Sequence, residues 1–173
     1  MTIALQLLAA LGFAMLIVTV HEHGHLLVAR AAGVPADDVR VDLDRRPPVV
    51  LLRHRDQWLG PEDPGYVDTF RSHRPSATAA WCFVMGGLVV ETMVTSVAVA
   101  VLLLTGLDPV ARVVASTSAV LFLVYLLADV TLTARHGPPY GDHTAAWRIA
   151  GTATVAAILV VALVKAAGVL LST

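Results

Sequence analysis

Four long apolar segments alternate with shorter polar segments along the chain, which predicts an all-α membrane protein. A helix that spans a bilayer needs ~20 mostly apolar residues at ~1.5 Å rise per residue. Four segments meet this requirement: residues 2–32, 76–104, 109–135 and 143–171. Gly33 follows the first segment and Pro75 precedes the second, as expected at helix boundaries.

The residues between the first two helices, 33–75, form a polar insert that predicts a small amount of β-structure. "VRVDLD" (39–44) alternates apolar and polar positions, as a strand does, and "VVLLRH" (49–54) is its candidate partner. "GYVDTF" (65–70) is a third, weaker candidate strand, and "QWLGPEDPG" before it is typical of a turn-rich loop. We therefore expect one membrane domain over residues 1–173, with four transmembrane helices and a β-containing insert, cytoplasmic or membrane-associated, between helices 1 and 2.

Composition supports an integral, multi-pass membrane protein. Apolar residues make up 57% of the chain and charged residues 14%, whereas a soluble domain carries about 25% charged residues. The mean hydropathy is +0.74. Cys82 is the single cysteine, which excludes an intramolecular disulfide framework. No nucleic-acid partner is expected, because the positions of the arginines are explained by membrane topology.

The positive charges predict how the helices are oriented. Ten arginines lie in or beside the insert and the connection before the fourth helix, against Arg112 and Lys165 on the other side. Positively charged residues are retained on the cytoplasmic side of a membrane. Both termini are therefore expected outside, with the insert in the cytoplasm, in a bacterial plasma membrane.

The first helix contains the polar sequence "HEHGH", residues 21–25, within an otherwise apolar segment. Polar groups are costly in hydrocarbon and usually have a function there. His21 and His25 are four residues apart, so they lie on one helical face and are candidate ligands of one zinc ion. Glu22 is then placed as a general base acting on a zinc-bound water. His23 faces elsewhere and is not expected to be a ligand.

A catalytic zinc needs a third protein ligand and one open position. His21 and His25 lie near the cytoplasmic end of the first helix, so the third ligand should approach from that side. Asp142, at the start of the fourth apolar segment, is the preferred candidate. His143 and His136 are alternatives.

"HEHGH" resembles the H-E-x-G-H sequence of the site-2 protease family of intramembrane zinc metalloproteases. "PYGDH" (139–143) resembles the Pro-x-x-Asp-Gly element that supplies the family's third zinc ligand, with His143 in place of glycine. "GLVVE" (87–91) follows the spacing of Gly-Pro-x-x-Asn, with Leu for Pro and Glu for Asn. The resemblance implies a divergent, minimal member with one Zn²⁺ held by His21, His25 and Asp142. Its substrate would be a membrane protein, cleaved in or near a transmembrane segment.

Other interpretations are open. Glu91, in the middle of the second helix, fits either a contact with the substrate or metal site or a structural role in helix packing. A non-proteolytic metal-binding relative or adaptor of the same fold is the main alternative function. A membrane di-iron oxygenase is a weaker one, because such enzymes need about eight ligands and this chain has seven histidines. A regulatory membrane partner or a homo-oligomer is compatible with the sequence.

Overall fold

The computed structural model describes residues 3–173, apart from the side chains of residues 3, 4 and 6. It is a helical bundle with a small sheet. The helices are α1 (Ile3–Ala31), α2 (Tyr66–His73), α3 (Ala77–Leu104), α4 (Asp108–His136), α5 (Asp142–Ala150) and α6 (Thr152–Leu171). The strands are β1 (Val39–Asp42), β2 (Val49–His54) and β3 (Gln57–Leu59). Among the described residues, α1, α3, α4 and α6 are long and apolar enough to cross a membrane. The expected fold class is confirmed; the expected start of α1 at Thr2 lies outside the described residues.

The fourth apolar segment differs from the expectation of one helix over 143–171. It is divided at Gly151, whose φ of +50° belongs to the left-handed region that glycine adopts readily. The amide of Gly151 donates to the carbonyl of Trp147 and closes α5 before α6 begins. The short helix α5 can therefore take its own direction, and its first residue is Asp142.

The insert contains a three-stranded antiparallel sheet in the order β1-β2-β3. Val39 pairs with Leu52, and Leu52 pairs in turn with Leu59. Strands 39–42 and 49–54 agree with the expected pair. The expectation for the third strand was wrong, because it lies at 57–59, within the segment expected to be a loop, and residues 66–73 form a helix. In that helix Tyr66, Thr69 and Phe70 are buried while Asp68 is exposed, so burial recurs at positions i, i+3 and i+4, which is helical rather than strand spacing.

The main core lies where α1, α3 and the insert meet. Phe70 of α2 stacks on Phe83 of α3, with ring centroids 4.5 Å apart, and Leu52 of β2 is fully buried beside them. Gly24 brings the backbones of α1 and α3 together, because a Cβ there would meet the carbonyl oxygen of Gly86 at 2.5 Å. Small residues permit this close approach of helices in membranes. The contact fixes the polar face of α1 against α3.

Candidate metal centre

The polar face of α1 presents His21 and His25 one above the other, as the helical spacing predicts. Their Nε2 atoms lie 3.1 Å apart. The Nδ1–H of His25 donates to the backbone carbonyl of Phe83 at 2.8 Å. This bond fixes the ring and leaves Nε2 as the nitrogen with a lone pair for a metal, an arrangement usual for ligand histidines.

Asp142 approaches both imidazoles from the N-terminus of α5. Its Oδ2 lies 2.9 Å from Nε2 of His21 and 3.2 Å from Nε2 of His25. Burial acts to raise the pKa of the Asp142 carboxyl, but the interactions with His25 and His21 outweigh it and hold the pKa well below its ordinary value. Asp142, the preferred third ligand from the sequence, therefore contacts both histidines, although it follows His21 by 121 residues in the chain.

The three atoms fit a zinc ion in spacing and chemistry. Three ligand atoms ~2.0–2.2 Å from a tetrahedral zinc are about 3.3–3.6 Å apart. The triangle formed by the two Nε2 atoms and Oδ2 has sides of 2.9, 3.1 and 3.2 Å. Small outward movements of the side chains would therefore admit the ion, and two imidazoles with one carboxylate are a usual zinc ligand set.

Gly87 of α3 leaves the space that the two imidazoles need. A Cβ at this position would lie 2.6 Å from Nε2 of His21 and would also overlap Nε2 of His25. The backbone of α3 therefore passes directly over the candidate ligand atoms of both histidines. The glycine is required by this close approach and not by an unusual φ.

Glu22 lies beside the histidines and contacts the insert. Its Oε2 accepts a hydrogen bond from the amide of Val50 at 2.7 Å, at the start of β2. The carbonyl of Val50 accepts from the hydroxyl of Tyr66 at 3.1 Å. Burial and the nearby carboxylates of Glu22 and Asp142 raise the pKa of Tyr66 well above its ordinary value, so this hydroxyl keeps its proton. The hydrogen bond from Val50 therefore connects the insert to Glu22, the candidate general base.

Glu22 is also close enough to be a ligand itself. Candidate ligand atoms of His21, Glu22 and His25 all lie within 4.8 Å of one another. Asp142 fits the role of third ligand better, because one of its oxygens is within 3.2 Å of both Nε2 atoms. Glu22 Oε2 is directed to the amide of Val50 instead.

Asp129 of α4 holds the turn that carries Asp142. Its carboxylate accepts from the amide of Gly141 at 2.8 Å and from the amide of Thr144 at 3.0 Å. The hydroxyl of Thr144 donates to it as well, at 2.5 Å. Asp142 lies between these anchored residues, so the buried Asp129 fixes the start of α5 in position.

Two cavities adjoin the candidate ligand atoms. The larger, of about 410 Å³, lies at the insert end and is lined by Glu22, His25 and Asp142 together with the loops at 61–64 and 138–141. The smaller, of about 200 Å³, is lined by His21 and Glu22 of α1, by residues 47–49 and 61 of the insert, and by residues of α3 and α4. Tyr125 of α4 lines both.

The other candidate site residues from the sequence lie outside the triangle formed by the ligand atoms of His21, His25 and Asp142. His136, at the end of α4, lines the larger cavity. His143 is buried next to Asp129, with 3.4 Å between its Nδ1 and Oδ2 of the carboxylate. Glu91 pairs with Lys165 of α6 at 2.7 Å. His23 is exposed on the other side of α1, and its Nδ1–H donates to the carbonyl of Thr19 at 2.7 Å.

Several groups around the site were not identified from the sequence: the carbonyl of Phe83, the amide of Val50, Tyr66, Tyr125 and the role of Gly87. The two backbone groups carry no side-chain signal. The adjacent glycines Gly86 and Gly87 were the one available indication, since paired small residues in an apolar helix suggest a close backbone contact.

We expect Gly87→Ala to weaken zinc binding by about 10- to 100-fold, the size of effect seen when groups that orient metal ligands are lost. The added methyl group must displace the imidazoles of His21 and His25. Zinc affinity of the purified protein in detergent, measured by competition with a chelating dye, checks this. Gly12→Ala in α1 is the matched control, because a Cβ there meets nothing within 4 Å. Equal zinc affinity in Gly87→Ala and the wild type would contradict the position assigned to Gly87.

Comparison with known proteins does not add to this geometry. No family model, no curated protein and no solved structure matches the chain.

Proposed function

We propose that this protein is an intramembrane zinc metalloprotease, similar to site-2 proteases. The observation that carries the proposal is the contact of Asp142 Oδ2 with Nε2 of both His21 and His25, with Glu22 beside them. Two histidines, one carboxylate and an adjacent glutamate are the groups that zinc-dependent peptide hydrolysis uses. Their location in a bundle of apolar helices points to membrane-protein substrates.

Each residue of the site has its own role in the proposed reaction. His21, His25 and Asp142 would hold one Zn²⁺, which when bound would lower the pKa of a water to about 7 and act as a Lewis acid. The carboxylate of Glu22 takes a proton from the attacking water and returns it to the nitrogen of the leaving amine. Water adds across the peptide bond, so that one carboxylate and one amine result.

The membrane orientation that is expected from the positions of the arginines is also part of this proposal. Lys165 of α6 is buried in an ion pair with Glu91 of α3, so it does not act as a topological charge. That leaves Arg112 as the positive residue on the side opposite the insert. We therefore place the insert and the metal-binding atoms toward the cytoplasm and both termini outside.

Glu22→Gln is the test of the proposed reaction. We expect it to lower the rate of peptide cleavage by at least ~100-fold, because general acid–base groups contribute 10²–10⁴-fold, while zinc stays bound through the other three residues. The measurement is mass spectrometry of new peptide termini, with host membrane proteins and the unfolded protein β-casein as substrates. His23→Leu is the matched control, since His23 faces away from the site.

The alternatives give different results in the same experiments. A non-proteolytic relative would show no cleavage that depends on Glu22, in either substrate. A di-iron oxygenase would contain two irons per chain and no zinc. Cleavage that persists in Glu22→Gln would remove Glu22 as the base.

A further inference from the structure

The smaller cavity contains a buried histidine whose hydrogen-bonding capacity is unused. His143 is 3% exposed. Neither of its ring nitrogens has a hydrogen-bond partner among the described residues. Buried polar groups in proteins are nearly always hydrogen-bonded, so an exception requires an explanation such as a ligand or a water.

The surroundings of His143 are built around a ligand-sized space next to the metal-binding atoms. The cavity of about 200 Å³ that it lines is also lined by His21, Glu22 and Tyr125. The ring of Tyr125 lies 5.9 Å from the ring of His21 and 5.5 Å from the ring of His143. A strand rises ~3.3 Å per residue. A peptide bound at His21 would therefore reach His143 within about four residues.

Most other polar groups of this cavity already have partners. His21 contacts Asp142, and Glu22 accepts from Val50. Ser118 donates to Glu91, which is paired with Lys165. These bonds use part of the hydrogen-bonding capacity of those groups, whereas both ring nitrogens of His143 are without a partner among the described residues.

The position of Asp129 indicates which ring nitrogen of His143 is available to a ligand, and therefore which kind of ligand group would bind there. Oδ2 of Asp129 is 3.4 Å from Nδ1 of the imidazole, without hydrogen-bond geometry, and the charge of this carboxylate favours a ring proton on Nδ1 over one on Nε2. Nε2 is then the nitrogen left for a ligand, and in the neutral ring it is an acceptor. The complementary ligand is an N–H donor, and a peptide backbone unwound from its helix offers such donors where hydrocarbon offers none.

We propose that His143 is a substrate-binding residue that accepts a hydrogen bond from a backbone N–H of the peptide near the cleaved bond. The inference rests on the proposed protease function. It gives His143 a role of its own, separate from that of the neighbouring Asp142. It also fits the chain's departure at this position, where the family it resembles has glycine.

The test compares His143→Leu with His143→Gln, using β-casein in detergent as the probe. We expect His143→Leu to raise KM about 10- to 100-fold, because it leaves a peptide N–H without an acceptor in a buried site. Zinc content and thermal unfolding should match the wild type. The amide of His143→Gln can accept a hydrogen bond near the position of Nε2, so its KM should return to within about threefold of the wild type. His23→Leu is again the matched control.

The possible results separate this inference from the function on which it rests. Glu22-dependent cleavage with an unchanged KM in His143→Leu would overturn the inference alone and would mean that a water satisfies the imidazole. Loss of zinc from His143→Leu would overturn it by making His143 part of the metal site. Absence of Glu22-dependent cleavage of both β-casein and host membrane proteins would overturn the protease function and the inference together.

Discussion

Asp142→Ala is expected to lower zinc affinity by more than about 100-fold while the helical bundle stays folded. Loss of a group that only orients a metal ligand costs 10–100-fold, and Asp142 would supply one of three ligand atoms. Two imidazoles would remain, without the carboxylate whose Oδ2 contacts both. Zinc per chain after dialysis against a zinc buffer, and the visible spectrum of the Co²⁺-substituted protein, measure the effect.

The same measurement on Glu22→Gln distinguishes the two acidic candidates for the third ligand. We expect that variant to bind zinc with the affinity of the wild type. Asp56→Ala is the matched control, because Asp56 is an exposed residue of the insert. If Asp142→Ala kept its zinc and Glu22→Gln lost it, the ligand set would be His21, Glu22 and His25, and the role of Glu22 as a base would be untenable.

The long-range features of the fold could be predicted from the sequence because they depend on strong, extended patterns. Apolar segments of more than 20 residues define spanning helices whatever their neighbours are. Short segments carry a weaker signal. "GYVDTF" alternates well enough to suggest a strand, yet it forms a helix in which Thr69 is buried with Tyr66 and Phe70 while Asp68 is exposed. β3 has three residues, which is too short for alternation to be informative.

The break at Gly151 could not be predicted for a different reason. Glycine is common within transmembrane helices, so its presence in an apolar segment does not imply a left-handed φ. The position of α5 depends on contacts made by its first turn, chiefly the hydrogen bonds from Gly141 and Thr144 to Asp129. Asp129 lies on α4, 12 residues before Gly141, so no local sequence pattern relates it to this turn.

The candidate site likewise has features that could be predicted from the sequence and features that could not. The spacing of His21 and His25 follows from helical geometry alone, and the approach of Asp142 was expected from the charge distribution and from the family resemblance. The groups that orient them are backbone atoms or a missing side chain, as with Phe83 and Gly87. Their placement depends on how α3 is rotated against α1, which a single sequence does not specify.

Replacing Glu91 and Lys165 together is expected to lower the free energy of unfolding far less than replacing either one alone, which would establish a structural role for Glu91. Lys165 Nζ donates to both carboxylate oxygens, at 2.7 and 3.0 Å, and to the hydroxyl of Ser118 at 2.6 Å. This cluster joins α3, α4 and α6 inside the bundle. Removing one member of a buried ion pair costs about 3–5 kcal/mol, whereas replacing both with apolar side chains is often neutral. Glu91→Met and Lys165→Met should each lower the free energy of unfolding by that amount, and the double variant by clearly less than either.

Reversible unfolding in mixed detergent micelles measures these free energies, and zinc content and β-casein cleavage are followed in the same samples. Leu163→Met is the matched control, because Leu163 is 70% exposed on α6. The result that matters most is the activity of the double variant. Glu91 and Ser118 line the same cavity as His21 and His143, so a direct role of Glu91 in substrate binding would leave the double variant stable but inactive. A structural role predicts a double variant that is both stable and active, because the polar cluster then serves to hold three helices in register around the cavity.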